Sequence, residues 1–334
     1  MTASATETVR PSSPLPANAG ELQGSTGFSR TQWIAFALMV VAIVVSPFVL
    51  YPIFLMKILC FALFACAFNL LVGYAGLMSF GHAAYFGMGG YIAAWLAKNA
   101  GLSPDLAMLG GGLFGAALGA AFGALAIRRQ GLHFTMITLA LAQMTYFFCV
   151  QVPFTGGEDG LQNVPRGNLF GFISLQPDMT LYWLVAIIFI ASFLFIFRII
   201  DSPFGRILKA ISENEARAIS LGYDTERVKL LAFILSCGLA GLAGAVKAIV
   251  FGFATLTDVQ FTTSGEVLFM TLLGGMGTLF GPVVGAIIAI LLEFYLAPFG
   301  AWILVIQGAI FFVCVLAFRR GVVGELAAYL RAKL

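Results

Sequence analysis

Charge is what this chain has least of: among 334 residues only 10% are Asp, Glu, Lys or Arg, against 60% hydrophobic. So few charges cannot clothe a water-soluble surface at this length, which excludes a soluble globular protein and implies a polytopic membrane protein. Histidine occurs twice, as His82 and His133, too sparsely for a histidine-based metal site. The five cysteines (Cys60, Cys66, Cys149, Cys237 and Cys314) lie inside apolar runs without a CxxC pair, so they read as small buried hydrophobes rather than disulfide or metal partners. No Gly-Lys pair is present, hence no phosphate-binding loop and no ATP hydrolysis by this chain. HExxH and GxSxG are also missing, and no carboxylate cluster falls in mid-span to relay protons or sodium. The expectation is a protein that is not an enzyme, needs no cofactor or metal, and takes its energy from outside. A net charge of +3, without a concentrated basic patch, gives no sign of nucleic-acid binding.

What the chain has instead is long apolar runs. A hydrocarbon core needs about 20 apolar residues per helix, fewer where the helix is broken or re-entrant. On that basis spans are expected at 33–51, 54–72, 78–97, 106–127, 132–152, 180–200, 229–252, 265–277, 280–297 and 300–318. The fold class is thus all-α and polytopic, with about ten transmembrane helices, some short and broken. In the stretch 265–297, Gly274, Gly275, Gly277, Gly281 and Pro282 divide one apolar run into two short helices. Of the 18 Lys and Arg, Lys98 and Arg166 fall on one face, Lys57 and Lys247 fall within spans, and the rest share the other face. The positive-inside rule makes that basic face cytoplasmic, with both termini on it. Lys57 and Lys247 are expected to snorkel to the headgroups. Residues 1–31, rich in Ser, Thr, Pro and Ala, are expected as a flexible tail, 32–320 as the membrane domain and 321–334 as a second cytoplasmic tail.

One charged island interrupts the apolar chain, residues 201–229, reading DSPFGRILKAISENEARAISLGYDTERVK. Ser212 and Glu215 form a Ser-x-x-Glu capping-box pattern ahead of good helix formers, and Gly222 offers a stop. A short amphipathic helix at the membrane surface is expected there, placed to meet a soluble partner.

Two glycine-rich stretches could shape a path. GYAGLMSFGHAAYFGMGG (73–90) carries Ser79 and His82 at a helix start, with Tyr85 one turn on. Free N–H groups at a helix start inside a membrane suit an anionic group such as a carboxylate, whereas small residues equally suit close helix packing. The second stretch, 273–285, has Thr278 as its polar side chain and mirrors the first, Gly-x-x-x-Phe-Gly against Gly-x-x-Phe-Gly, as a faint repeat or a chance match. Ser79, His82, Tyr85 and Thr278 are therefore the candidate path residues. Gly111, Gly115, Gly119 and Gly123, spaced four apart, mark a packing face. Asn69, Gln143 and Gln307 are placed to bond between helices. Glu266 and Glu293 fall toward the outer boundary, to line an entrance or to face headgroup water. In the outer loop, TGGEDGLQNVPRG exposes Glu158 and Asp159 between glycines, a solvated turn or a docking point for a basic partner surface.

These segments resemble LivM-type permeases, the membrane subunits of ABC importers for branched-chain amino acids. The resemblance covers about residues 55–320 and rests on FNLLVGYAGLMSFGHAAYFGMGGYIAA (68–94), TGGEDGL (155–161), SPFGRILKAISENEARAISLGYDTERVKLLAF (202–233), GLAGAV (241–246) and LLGGMGTLFGPVVGA (272–286). It implies a type II importer permease in a bacterial inner membrane. Its implied partners are a second homologous permease, two cytoplasmic ABC ATPases and an extracytoplasmic substrate-binding protein, which Glu158 and Asp159 would help dock. The charged island resembles the coupling helix that seats in the ATPase, involving Arg206, Ser212, Glu213, Asn214, Glu215, Ala216, Arg217 and Gly222. Glu215-Ala216 and Gly222 match the family's Glu-Ala-Ala-then-Gly docking pattern, except that Arg217 takes the third position and Gly222 comes one residue late. Among substrates, TGGEDGL looks more like the amino-acid branch than the urea branch. The rival reading is an ion-coupled secondary transporter of small polar solutes, which would need an intramembrane ion site and no docking helix.

Overall fold

The computed structural model describes residues 30–129, 131–169, 173–317 and 321–330. The elements are α1 (Arg30–Val45), α2 (Pro52–Asn69, prolonged by one π turn over Leu70–Tyr74), α3 (His82–Lys98), α4 (Pro104–Ala126), α5 (Leu132–Gln151), β1 (Asn168–Leu169), β2 (Ile173–Ser174), α6 (Asp178–Asp201), α7 (Pro203–Glu213), α8 (Glu215–Ser220), α9 (Thr225–Phe251), α10 (Phe261–Gly274), α11 (Gly281–Leu296), α12 (Ile303–Ala317) and α13 (Gly321–Leu330). Proline opens several of them (Pro52 in α2, Pro104 in α4, Pro203 in α7), where its missing N–H costs nothing and its fixed φ suits a first turn.

Seven helical stretches among the described residues are long and apolar enough to cross a membrane: Thr31–Phe48, Pro52–Tyr74, Pro104–Ala126, Leu132–Gln151, Asp178–Asp201, Thr225–Phe251 and Gly281–Gly300. The other three of the ten expected spans correspond to shorter helices. α3 has 17 residues, α10 has 14 and α12 has 15. At 1.5 Å per residue α10 is about 21 Å long, less than the ~30 Å of a hydrocarbon core. The N-terminal tail lies outside the described residues up to Arg30, as do Arg319, Arg320 and residues 331–334. Residues 321–330, expected as tail, instead form α13, which packs on α10 and α11, with Gly321 backed against the Gly275 backbone.

α9 is the central element, lying against α2, α3 and α4. Lipid tails are as apolar as the helices, so these contacts depend on close approach rather than on a hydrophobic drive. The glycines supply it: Gly89 rests on Gly241, Gly111 on the Gly89 carbonyl, Gly115 on the Cys237 carbonyl and Gly244 on the Phe86 carbonyl. This fulfils the packing role expected of Gly111, Gly115, Gly119 and Gly123. Large apolar side chains turned outward, such as Leu113 and Met136, face where lipid would be.

The bundle has two polar ends. One carries α7 and α8. The other carries the loop after α5, whose Leu161 forms a β-bridge with Ala254 just past α9. Val164 N–H adds a bond to the Gly252 carbonyl at 2.8 Å. Lys57 and Lys247 do not snorkel free: Lys57 Nζ sits 2.9 Å from both Glu293 carboxylate oxygens, and Lys247 pairs with Asp258.

Candidate functional site

The charged island folds as two helices rather than one. Ser202 Oγ accepts from Gly205 N–H (3.3 Å) to cap α7, and Gly205 sits so close to the Ile199 and Ile200 carbonyls that a side chain there would clash. α7 turns Leu208 and Ile211 inward and leaves Arg206, Lys209 and Ser212 exposed. At Asn214 the backbone extends (φ −158°, ψ 96°) and a second helix, α8, begins. Its cap is Asn214 Oδ1, accepting from Arg217 N–H at 3.0 Å. The expected capping box at Ser212 and Glu215 therefore does not form, because Asn214 stands one residue ahead of Glu215 and its short amide reaches the N3 donor first.

α8 ends as the sequence implies. Gly222 adopts φ +86°, Gly222 N–H meets the Ile219 carbonyl at 2.9 Å and Tyr223 N–H meets the Ala218 carbonyl at 3.2 Å, the two bonds of a Schellman motif. Ala216, Arg217, Glu213 and Gly222 are exposed. Glu215 turns inward to Lys229 of α9, Oε1 to Nζ at 2.5 Å, with Lys229 buried. The tip displays Ile219, Leu221 and Tyr223, which are 56%, 70% and 45% exposed. Apolar side chains bared at the polar end of a membrane protein call for a partner. They were missed as site residues because only the Schellman turn reveals which way they point.

Behind this connector lies the break between α2 and α3. Ser212 packs against Gly76, which has φ +69°. A few residues back, Asn69 reaches across to the break between α10 and α11, donating from Nδ2 to the Thr278 carbonyl (2.9 Å) and accepting at Oδ1 from Gly277 N–H (3.0 Å). Gly73 also lies directly on Gly277. The two glycine-rich stretches, about two hundred residues apart, thus meet.

Of the four candidate path residues, Ser79, His82 and Tyr85 are buried and Thr278 is half-buried. Ser79 is buried and its Oγ accepts from Gly81 N–H at 3.3 Å. Thr278 Oγ1 donates to the Gly275 carbonyl (2.8 Å) and accepts from Gly281 N–H (3.1 Å) at the start of α11. His82 Nε2 is 2.8 Å from Ser236 Oγ, and Ser236 donates its one proton to the Ala67 carbonyl at 2.6 Å. The imidazole must therefore donate from Nε2, leaving Nδ1 as an acceptor without a partner among the described residues. Phe68, Tyr85 and Phe233 close around the ring edge-on. The N-terminus of α3 is occupied by the protein itself, since Ala83 N–H donates to Ser264 Oγ at 2.9 Å.

A family described as "Branched-chain amino acid transport system / permease component" matches residues 50–315, most of the chain and every feature just described. The chain belongs to that permease family. Among relatives, the permease is 28% identical over 265 residues to the high-affinity branched-chain amino acid transport system permease protein LivM of Escherichia coli, covering 72% of this chain and 62% of that protein. It is 24% identical over 271 residues to a probable branched-chain amino acid transport permease protein LivM of Methanocaldococcus jannaschii, covering 68% and 76%. It is 32% identical over 181 residues to the autoinducer 2 import system permease protein LsrC of Klebsiella pneumoniae, covering about half of each. The permease thus spans less than two thirds of the length of the Escherichia coli relative. No solved structure matches.

At its other end the permease fixes the loop after α5 firmly. Gly156, Gly157 and Gly160 take φ of +78°, +60° and +68°, and Thr155 Oγ1 holds the turn through the Cys149 (2.5 Å) and Val152 (2.7 Å) carbonyls. Glu158 and Asp159 are exposed at its crest. Lys98 Nζ binds the Gln162 carbonyl (2.8 Å) and Arg166 pairs with Asp178 (2.7 Å), so the basic groups of this end are engaged below the acidic crest.

Proposed function

We propose that this permease is the membrane subunit of a bacterial inner-membrane ABC importer that moves branched-chain amino acids or related small carboxylates. It works with a second, homologous permease, two cytoplasmic ATPases and an extracytoplasmic binding protein. The observation that carries the reading is the α7–α8 connector. Its tip bares Ile219, Leu221 and Tyr223 among Arg206, Glu213 and Arg217, while its inner side rests on the Gly76 break through Ser212. A protein seated on the tip can push on the region where two broken helices meet.

In this mechanism nucleotide-driven closure of the ATPases displaces α7–α8, and Ser212 and the Glu215–Lys229 pair pass the displacement to the α2–α3 break and to α9. The α10–α11 break follows through Asn69. Ser79, His82, Tyr85 and Thr278 become accessible only when the two breaks separate. Glu158 and Asp159 receive a basic surface of the binding protein, and the connector face is cytoplasmic. The permease itself makes and breaks no covalent bond.

The test is uptake in proteoliposomes containing the permease, its partner permease, the ATPases and the binding protein. Uptake should require ATP and vanish when the ATPases carry inactivating substitutions in their phosphate-binding loops. Undiminished uptake with inactive ATPases would overturn the importer reading in favour of an ion-coupled secondary transporter.

A further inference from the structure

A cavity of about 220 Å³ lies among α1, α2, α6 and α11. Its walls are alkyl and aromatic: Met39 and Ile43, Leu55 and Ile58, Phe189 and Ile287. Two hydroxyls also border it, those of Ser46 and Tyr182. Tyr182 Oη donates to the Ile43 carbonyl at 2.6 Å, and Ser46 Oγ lies 3.0 Å from Tyr182 Oη and 3.1 Å from the same carbonyl. Each hydroxyl has one proton, and both protons are spent inside this triangle. No charged side chain is among the lining residues. A polar solute would be stripped of water there without compensation, whereas hydrocarbon loses nothing.

The outer end of the cavity is marked by aromatic residues. Phe54 and Leu291 border it there, and Phe54 meets Phe294 with ring centres 5.0 Å apart. Tyr51, Tyr295 and Trp302 are exposed at the same end, and the part-exposed Lys57–Glu293 pair stands beside Phe54 and Phe294 in sequence. Such a girdle belongs at the level where hydrocarbon gives way to headgroups. From that level the cavity runs inward to Ala62 and Val283, about 12 Å along α2 at 1.5 Å per residue. A volume of about 220 Å³ over that length leaves a slot roughly 18 Å² in section, against roughly 80 Å² for a helix about 10 Å across. The slot is too narrow for a helix and suits one extended hydrocarbon chain.

We propose that one acyl chain of a membrane phospholipid occupies this cavity, with its headgroup at the aromatic girdle. All four surrounding helices belong to stretches long and apolar enough to cross a membrane, so the cavity lies at a depth where acyl chains are the solvent. The chain fills the space between α1 and the bundle, where α1 buries Ile43 while Leu38 and Val41 face outward. This site stands independently of the importer reading.

The test places the full-length permease in phosphatidylcholine nanodiscs doped with a phospholipid carrying a diazirine midway along one acyl chain. After irradiation, peptide mass spectrometry should find label on the walls, at Met39, Ile58 and Ile287. Label confined to outward residues such as Leu38, Val41 and Leu113 overturns the site. Ala42→Phe, which sets a ring in the slot, should lower labelling of Ile58 and Ile287 several-fold and leave Leu113 on α4 within about twofold. Met39→Phe replaces it if that variant does not fold, and unchanged wall labelling in the folded variant overturns the proposal. Two controls separate other occupants. Palmitate bearing the same diazirine should label the walls several-fold less; equal labelling would assign the slot to a free fatty acid and overturn the phospholipid. Wall labelling should persist in the assembled complex, and its loss there would mean that a partner subunit takes the slot instead.

Discussion

Asn69 holds two backbone groups of a break that lies more than two hundred residues further along the chain, the Thr278 carbonyl at 2.9 Å and the Gly277 N–H at 3.0 Å. Both are peptide groups released by the end of α10. One side chain thereby satisfies the loose ends of a broken helix and fastens it to another.

Replacing Asn69 by Leu keeps the volume and strands both groups. The expected cost is about 1–3 kcal/mol per stranded group. Thermal unfolding of the purified permease in nanodiscs should show a clearly lower midpoint, and an unchanged midpoint would mean the two breaks are held together by other contacts.

The helix contacts at the centre give a second prediction. Gly244 abuts the Phe86 carbonyl, so even Ala must push α3 from α9, whereas a methyl group added at Gly308 of α12 would meet nothing within 4 Å. Gly244→Ala should reduce the yield of folded protein sharply, and Gly308→Ala should leave it unchanged or slightly raised, as helix propensity favours Ala by about 1 kcal/mol. Size-exclusion profiles of the two variants decide the matter; matching profiles would remove the close-packing argument.

Glu215 is turned toward Lys229 rather than outward, which makes it a positioning residue for the tip. Glu215→Lys should set two ammonium groups against each other, disorder α8 and abolish co-purification of the ATPases while leaving membrane insertion intact. Adding Lys229→Glu restores opposite charges and should restore most of the co-purification. Failure of the double swap to recover it would mean that Glu215 contacts the ATPase directly.

For the acidic crest, Glu158→Lys with Asp159→Lys should weaken binding-protein-dependent uptake at low salt, with a smaller difference as ionic strength rises and the Debye length shrinks. Uptake at wild-type levels at low salt would reduce the loop to a turn.

The long spans were legible because each is an uninterrupted apolar run, and the breaks because clusters such as Gly274, Gly275 and Gly277 interrupt one. The position of Gly222 likewise announced the end of α8, since little else adopts φ +86° without strain. What the chain did not reveal depends on partners far away in sequence. Ser212 looked like a cap by local spacing, yet Asn214 takes that role and Ser212 is left to pack on Gly76. Lys57 looked free to reach water because Glu293, its partner, lies on a helix 236 residues later. His82 gave no hint of whether it was buried or exposed until Ser236 and three aromatic rings closed around it. Local pattern reports propensity, whereas these assignments are set by which helices become neighbours.

α9 is anchored at both of its extremities, to Glu215 through Lys229 at one and to the acidic loop through the Leu161–Ala254 bridge at the other. With 27 residues it runs about 40 Å without a kink-forming proline. A stiff rod gripped at each tip has no slack to absorb a shove, so under the proposed importer reading a protein alighting on the loop end should be sensed at the connector end, and the reverse.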